Sequence, residues 1–495
     1  MTQTATAPAP CWSPQQDAIF AWFEFPSQTL EHLIVRARAG TGKTTTIIEG
    51  ISRAPEASIL LCAFNKRIAE DAAGKLTNSR AQVKTLHAIG FSTVLRFWER
   101  IKVAQGSERA DALTEHVCGP TAPDAIKRLV SKLHTKGREI APHAKNLGDL
   151  TDIALTFECE PDDIWTSSGY DLAYVEMKAL QAMELAATTK PVLTGIDFAD
   201  MIYLPVRNHW LTKQYDLVVV DEAQDMTMAQ LEIAQGVCRG RICVVGDDRQ
   251  AIYGFRGADS GSLDRLKHEL HASELGLTTT YRCGKAIVAA AQELVPDFQA
   301  GPENPRGSVE YLEEEKLVGA AGPGDFILSR VNAPLVSIAM KLLRSGKRTQ
   351  VAGRDIGSGL KTLIRKFKGK SVPDLLGKIA AWEAKELVRL KARFNGKEIA
   401  TARMDAIHDQ AEMLTALADG AKNVDEVTTR IDALFTDDGL GAQGMITCSS
   451  VHKAKGLEAN RVFILQDTLR DHNGEEKNIA YVAITRAKQT LVWVA

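Results

Sequence analysis

Residues 37–44 read Ala-Arg-Ala-Gly-Thr-Gly-Lys-Thr, with the apolar run Leu33-Ile34-Val35 before them and Thr45-Thr46-Ile47-Ile48 after them. A strand, a glycine turn and a helix in that order make a cradle for phosphate. Gly40 and Gly42 let backbone N–H groups turn toward an anion, and the helix start adds partial positive charge. Lys43 can bridge β- and γ-phosphates, and Thr44 can hold Mg²⁺. Ala39, Thr41 and Thr45 complete the loop. Ala37 stands where the usual pattern has its first glycine, and alanine suits that place if its backbone angles are ordinary.

Further along, Leu217-Val218-Val219-Val220-Asp221-Glu222 ends an apolar run in two carboxylates. An acidic strand end alone is usually a solvated terminus. Combined with a phosphate loop it suits transfer of a phosphoryl group to water, with Asp221 holding Mg²⁺ through water and Glu222 taking the proton of the attacking water.

Such residues need a sheet that brings distant segments to one edge. Strand-like runs recur at 32–37, 58–64, 216–222, 241–247, 325–330 and 461–467, each followed by a turn and a helical pattern. That alternation predicts parallel α/β layers. Residues 95–195 and 355–435 break it: they are rich in Ala, Leu, Lys and Glu at helical spacing, which predicts two helical insertions. The 495 residues suffice for about three domains at roughly 100–200 residues each; 45% are hydrophobic and 25% charged, so disordered and collagen-like classes are excluded. The net charge of −2 leaves any polyanion contact to local patches. Eight scattered cysteines without a Cys-x-x-Cys pair suit a reduced, metal-free interior. Residues 1–10 read as a disordered tail instead of a signal peptide, and no run reaches the roughly 18 apolar residues of a membrane span. A soluble intracellular protein is expected, cytoplasmic, or nuclear in a eukaryote.

The acidic segment continues as Asp-Glu-Ala-Gln-Asp (221–225), and with it the chain resembles the UvrD/Rep-type superfamily 1 DNA helicases. Further blocks follow in that family's order: SPQQDAI (13–19), CAFNKRIAEDA (62–72), TLHAIGF (85–91), DFADMI (197–202), VVGDDRQAIYGFRGAD (244–259), TTYRC (279–283), VHKAKGLEANRVFI (451–464) and EEKNIAYVAITRAKQTL (475–491). The resemblance implies that Gln16 reads adenine and that Gln250 senses the γ-phosphate. It makes Arg282 and Arg486 the two γ-phosphate arginines, a kind of contact typically worth about 10³–10⁵ in rate. Tyr281 and Glu458 are implied to touch the base and sugar.

The resemblance also implies two RecA-like P-loop cores, 11–94 with 196–284 and 285–354 with 436–495. ATP and Mg²⁺ are expected between them, and single-stranded DNA across both. Phe64, Tyr253 and Phe255 are candidates for stacking on bases, at about 1–3 kcal/mol each, although core packing is the commoner fate of any one ring. Asn65, His87, Arg256 and His452 join them as DNA-side candidates. Residues 361–397 hold eleven Lys and Arg against three Asp and Glu, a run that suits duplex phosphates or simply a solvated helix face. The implied activity is DNA-dependent ATP hydrolysis driving 3′→5′ translocation and unwinding in replication, repair or recombination. Protein stripping without unwinding and a nucleotide-switched scaffold are the alternatives. A monomer is expected on single-stranded DNA and single/double-strand junctions, with accessory repair or replication proteins. The second insertion is short for the family and the chain stops soon after the last block, so no C-terminal partner-binding tail is expected.

Overall fold

The computed structural model describes residues 12–25, 31–252, 261–394, 398–436, 444–470 and 474–495. The chain divides into two compact units, one comprising the residues up to Ala37 and Gly42–Leu277, the other Arg38–Thr41 and Thr278–Ala495.

The first unit is built on a six-stranded sheet: β1 (Leu33–Ala37), β2 (Ile59–Ala63), β3 (Ala81–Thr85), β4 (Tyr215–Val220), β5 (Cys238–Gly246) and β6 (Ser273–Leu277). The order is β3-β2-β4-β5-β1-β6, with every pair parallel. The central strands are apolar on both sides because the sheet is covered on both faces. Alternate residues feed separate cores: Ile34, Leu60, Val218 and Val244 on one face, Val35, Leu61, Val219 and Val245 on the other. Parallel strands place all their carboxyl ends on one edge, where the crevice of such sheets receives ligands.

The first insertion leaves and returns through a parallel bridge between Val103 and Ile196. It contains the helices Glu108–Cys118, Asp124–Ile140, Thr151–Thr156, Asp163–Thr166 and Leu172–Thr188. Leu113, Val130, Leu133, Val175 and Met183 give it an apolar core of its own, which also takes in Met201 and Leu204 of the helix Phe198–Arg207.

The second unit begins with β7 (Thr279–Thr280) paired to β8 (Gln299–Ala300). Its main sheet comprises β9 (Ser308–Leu312), β10 (Phe326–Ser329), β11 (Thr349–Ala352), β12 (Phe435–Thr436), β13 (Ile446–Ser450), β14 (Ala459–Leu465) and β15 (Ala487–Val494). These lie in the order β12-β11-β13-β10-β14-β15-β9, again all parallel. The mixed α/β class with parallel sheets is the one the alternating runs predict. The passage into the second unit falls at 277–278, ahead of the expected 284–285, because Thr279 and Thr280 pair with Gln299 and Ala300. Tyr281 and Arg282 therefore belong to the second unit.

The second insertion is the helices Arg354–Phe367, Val372–Phe394, Glu398–Ala418 and Val424–Leu434. Among the described residues its apolar side chains share the core of the unit: Leu360, Leu375, Leu414 and Ile431 pack into one apolar cluster with Ile327, Val351 and Cys448 of the sheet and Val336 of the helix Ala333–Arg344. Among the described residues no helix is long and apolar enough to cross a membrane.

Candidate functional site

The phosphate loop leaves the carboxyl end of β1. Gly40 and Gly42 have φ of 68° and 80°, in the left-handed region that favours glycine, while Ala37 closes β1 and lies outside the positive-φ set. The helix Lys43–Arg53 starts at Gly42. Gln16 stands against this start: its Nε2 donates to Thr46 Oγ1 at 2.9 Å and its Oε1 accepts from Ser13 N at 3.0 Å. Thr45 is exposed, and Thr41 is buried with its hydroxyl donated to Arg38 O.

In the sheet order, β5 lies next to β1 and β4 one strand beyond it, and the ends of both bring carboxylates toward this loop. Thr44 Oγ1 donates to Asp221 Oδ2 at 3.3 Å, and Lys43 Nζ donates to Glu222 Oε2 at 3.0 Å. Glu222 has φ 54° and ψ 40°, a left-handed conformation uncommon for a non-glycine residue, which turns the chain sharply off β4. Burial opposes the Lys43 ammonium, yet the carboxylates of Glu222, Asp247 and Asp221 outweigh it and raise its pKa. Burial, then the charge of Glu222, pushes Asp221 up to about 7, against the pull of Lys43. One ammonium facing three carboxylates leaves the pocket short of positive charge, which suits a divalent cation. Thr44 and Asp221 are few ligands for one, but Mg²⁺ is usually held by one or two carboxylates together with substrate phosphates.

A buried amide ties the acids together. Gln224, 1% exposed, donates through Nε2 to Glu222 Oε2 at 2.6 Å and accepts through Oε1 from Asp247 N at 3.0 Å. Gln250 Nε2 donates to Asp247 Oδ2 at 2.5 Å. Glu222 is thus linked to Gln250 through Gln224 and Asp247. The reading of residue types overlooked Gln224, although it lies inside the block 221–225; its burial was the missing signal.

In the second unit, Glu458 and Arg486 lie just before β14 and β15, at the amino edge of the main sheet. Arg282 Nε pairs with Glu458 Oε2 at 2.7 Å, and Lys488 Nζ with Glu458 Oε1 at 2.6 Å. Burial works against the Glu458 carboxylate, but Lys488 and Arg282 hold it below the usual range. Arg486 is 1% exposed and donates to Val482 O and Leu457 O. Burial, with the neighbouring charge of Arg282, pushes its guanidinium down to about 10, so it stays cationic near neutrality. The charge of Arg282 disfavours that of Arg486, and a nearby anion would relieve this. Tyr281 is half exposed.

The carboxyl ends of β2 and β3 hold a different set. Phe64 is half-buried against the sheet core, and Asn65 Oδ1 accepts from Ile68 N to cap the helix Lys66–Lys75. His87 lies in the first turn of the helix Leu86–Phe97, which follows β3; burial lowers its pKa, opposed by the charge of Glu139. Its ring meets Phe198 edge-on, with centroids 5.9 Å apart. Phe198 is 66% exposed although every residue from Ala199 to Val206 is buried. It too lay within a quoted block, 197–202, without being singled out, because an apolar residue in an apolar helix gives no hint of facing solvent. β3 and β1 are four strand spacings apart, about 19 Å, so one edge separates the aromatic set from the phosphate loop. His452 follows β13 at the carboxyl edge of the second sheet, opposite the edge of Arg486. Tyr253, Phe255 and Arg256 lie outside the described residues. In the basic run, Lys361, Lys378 and Arg389 pair with Asp432, Asp374 and Glu386, while Arg365, Lys366, Lys368 and Lys370 are exposed.

A phosphate loop at β1, an acidic pair at β4 and a doubly covered parallel sheet define the P-loop nucleotide-binding class. Comparison with known proteins narrows this. Residues 23–271 match the UvrD/REP helicase N-terminal domain and residues 445–494 the UvrD-like helicase C-terminal domain. The chain belongs to the UvrD/REP helicase family. It is 26% identical to F-box DNA helicase 1 of Gallus gallus over 92% of this chain and 47% of that protein. It is 24% identical to F-box DNA helicase protein 1 of Schizosaccharomyces pombe, over 93% and 55%. It is also 24% identical to ATP-dependent DNA helicase UvrD2 of Mycobacterium tuberculosis, over 92% and 75%. The chain spans about half the length of the two F-box helicases.

Proposed function

We propose that this protein is an ATP-dependent DNA helicase that moves 3′→5′ along single-stranded DNA and unwinds duplex DNA. The observation that supports this best is the sorting of residues along one sheet edge: a phosphate loop with paired carboxylates at β1, β4 and β5, and past β3 His87 with the exposed ring of Phe198 against it. Lys43 and the loop N–H groups bind the triphosphate, and phosphate draws the Lys43 ammonium from Glu222. Glu222, freed from that pair and held by Gln224, accepts the proton of the attacking water. Mg²⁺, held by Thr44 and Asp221, would neutralise phosphate charge. Gln250, tied to Asp247, reports on the γ-phosphate, and Arg282 and Arg486 meet charge that spreads over the transferred group. Gln16, Tyr281 and Glu458 would fix the base and sugar.

On the nucleic-acid side, Phe198 joins His87, Phe64, Asn65 and His452. Stacking and phosphate contacts of this kind are blind to base sequence. The protein works as a monomer inside the cell on single/double-strand junctions. The decisive experiment measures ATPase activity with and without single-stranded DNA, then unwinding of 3′-tailed and 5′-tailed duplexes. ATPase activity stimulated by any base sequence, with unwinding from the 3′ tail only, is expected. Unstimulated hydrolysis, or unwinding from the 5′ tail alone, would overturn the reading.

A further inference from the structure

Arg38 occupies a variable position of the phosphate loop, yet only 5% of it is exposed. Its guanidinium grips Asp297 in a fork, Nε to Oδ1 at 3.2 Å and Nη2 to Oδ2 at 2.9 Å. Residues Arg38–Thr41 belong to the second compact unit, and two further bonds hold them there. Ala39 N donates to the buried Tyr481 Oη at 3.0 Å, and Tyr281 N donates to Gly40 O at 2.9 Å. The loop comes so close that a Cβ on Gly40 would lie 2.5 Å from Arg282 Cβ. Among these three tethers only the Arg38–Asp297 pair is made by two side chains and fixed by charge. A forked guanidinium–carboxylate pair restricts direction as well as distance. A buried arginine is costly without a purpose, since an apolar residue would fill the space with no ion to desolvate.

We propose that Arg38 is a positioning residue for ATP hydrolysis: through Asp297 it holds the Arg38–Thr41 stretch at a set distance from Arg282 within the second unit. The inference rests on the proposed role of Arg282. Arg38 touches no phosphate in this scheme, so its loss leaves nucleotide affinity alone and acts on turnover, where a misplacement near 1 Å can cost about a hundredfold.

The test measures DNA-stimulated kcat and the affinity of a fluorescent ATP analogue for Arg38→Gln, Asp297→Asn and Asp297→Glu, with Arg38→Gln repeated in an Arg282→Ala background. Asp297 is half exposed and Asp297→Glu keeps the carboxylate that pairs Arg38, so this variant folds even if Arg38→Gln does not. Arg38→Gln and Asp297→Asn should lower kcat about ten- to a hundredfold with analogue affinity within about twofold, and Asp297→Glu should recover most of the rate. In the Arg282→Ala background Arg38→Gln should change kcat less than about twofold, because coupled residues are not additive. An unchanged kcat in both Arg38→Gln and Asp297→Asn, or an equal loss in the two backgrounds, overturns the inference alone. Normal turnover in Arg282→Ala removes the role of Arg282 and the inference with it.

Discussion

Replacing Gln224 by leucine tests whether the carboxylates are held by a buried amide. The variant loses a hydrogen bond to a charged partner, worth about 1.5–3 kcal/mol, and strands the N–H of Asp247, at about 1–3 kcal/mol. Burying the leucine returns part of this, leaving a net loss of about 2–4 kcal/mol for the first unit. At roughly 2–4 °C per kcal/mol, thermal unfolding should begin several degrees lower. Turnover should suffer separately. Glu222 keeps its charge but loses the donor that orients it, and a positioned base contributes about 10²–10⁴, so kcat should fall about ten- to a hundredfold. Nucleotide affinity should hold, because the phosphate loop does not depend on Gln224. Calorimetry and steady-state ATPase on one preparation read both effects. A Gln224→Leu protein with the parental melting temperature and kcat would refute the argument.

Glu222→Gln should bind an ATP analogue nearly normally while hydrolysis drops about a hundredfold or more, whereas Lys43→Ala should lose both; equilibrium binding beside ATPase separates them, and brisk hydrolysis by Glu222→Gln would remove it as the base. Phe198→Ala should weaken single-strand affinity by about 1–3 kcal/mol with an unchanged melting temperature, since its ring is largely exposed; fluorescence anisotropy and a melting curve decide it. His134 is fully buried in the first insertion and bonded through Nε2 to Thr114 Oγ1 at 3.0 Å. Burial, then the charge of Arg138, pushes it down to about 3. The unfolded chain takes up that proton near the ordinary value of 6.5, so stability present above pH 6.5 is lost as pH falls toward 3, by about 1.4 kcal/mol per unit. Urea titrations at pH 7 and 5 should show the loss, and His134→Asn should flatten it; equal slopes in both proteins would show that His134 is already protonated when folded.

Much of this protein is legible in its linear order. The six apolar runs are all strands, since a strand covered on both faces must be apolar on both and stands out from its surroundings. The phosphate loop is local as well: its glycines, lysine and threonines lie within eight consecutive residues whose function depends on backbone angles between neighbours. The strand Ala81–Thr85, by contrast, is half-polar and only partly buried at the sheet edge, and Ile446–Ser450 is fully buried with two serines and a threonine in it. Neither has the hydrophobic run that marks a central strand.

What composition and spacing determined, then, is the fold class, the loop that can hold phosphate and the acids that can act on it. Tertiary structure alone decided which side chains meet. Gln224 reaches Asp247 across 23 residues, and Arg38 reaches Asp297 across 259. Phe198 is an exposed ring on a helix whose side chains from Ala199 to Val206 are buried between the sheet core and an insertion that begins about a hundred residues earlier. The physical reason is that polarity and period along a chain report what one residue needs from solvent and from its near neighbours. A hydrogen-bond partner or a facing ring is set by how sheet order and insertions return distant segments to the same edge, and no short stretch of sequence contains that.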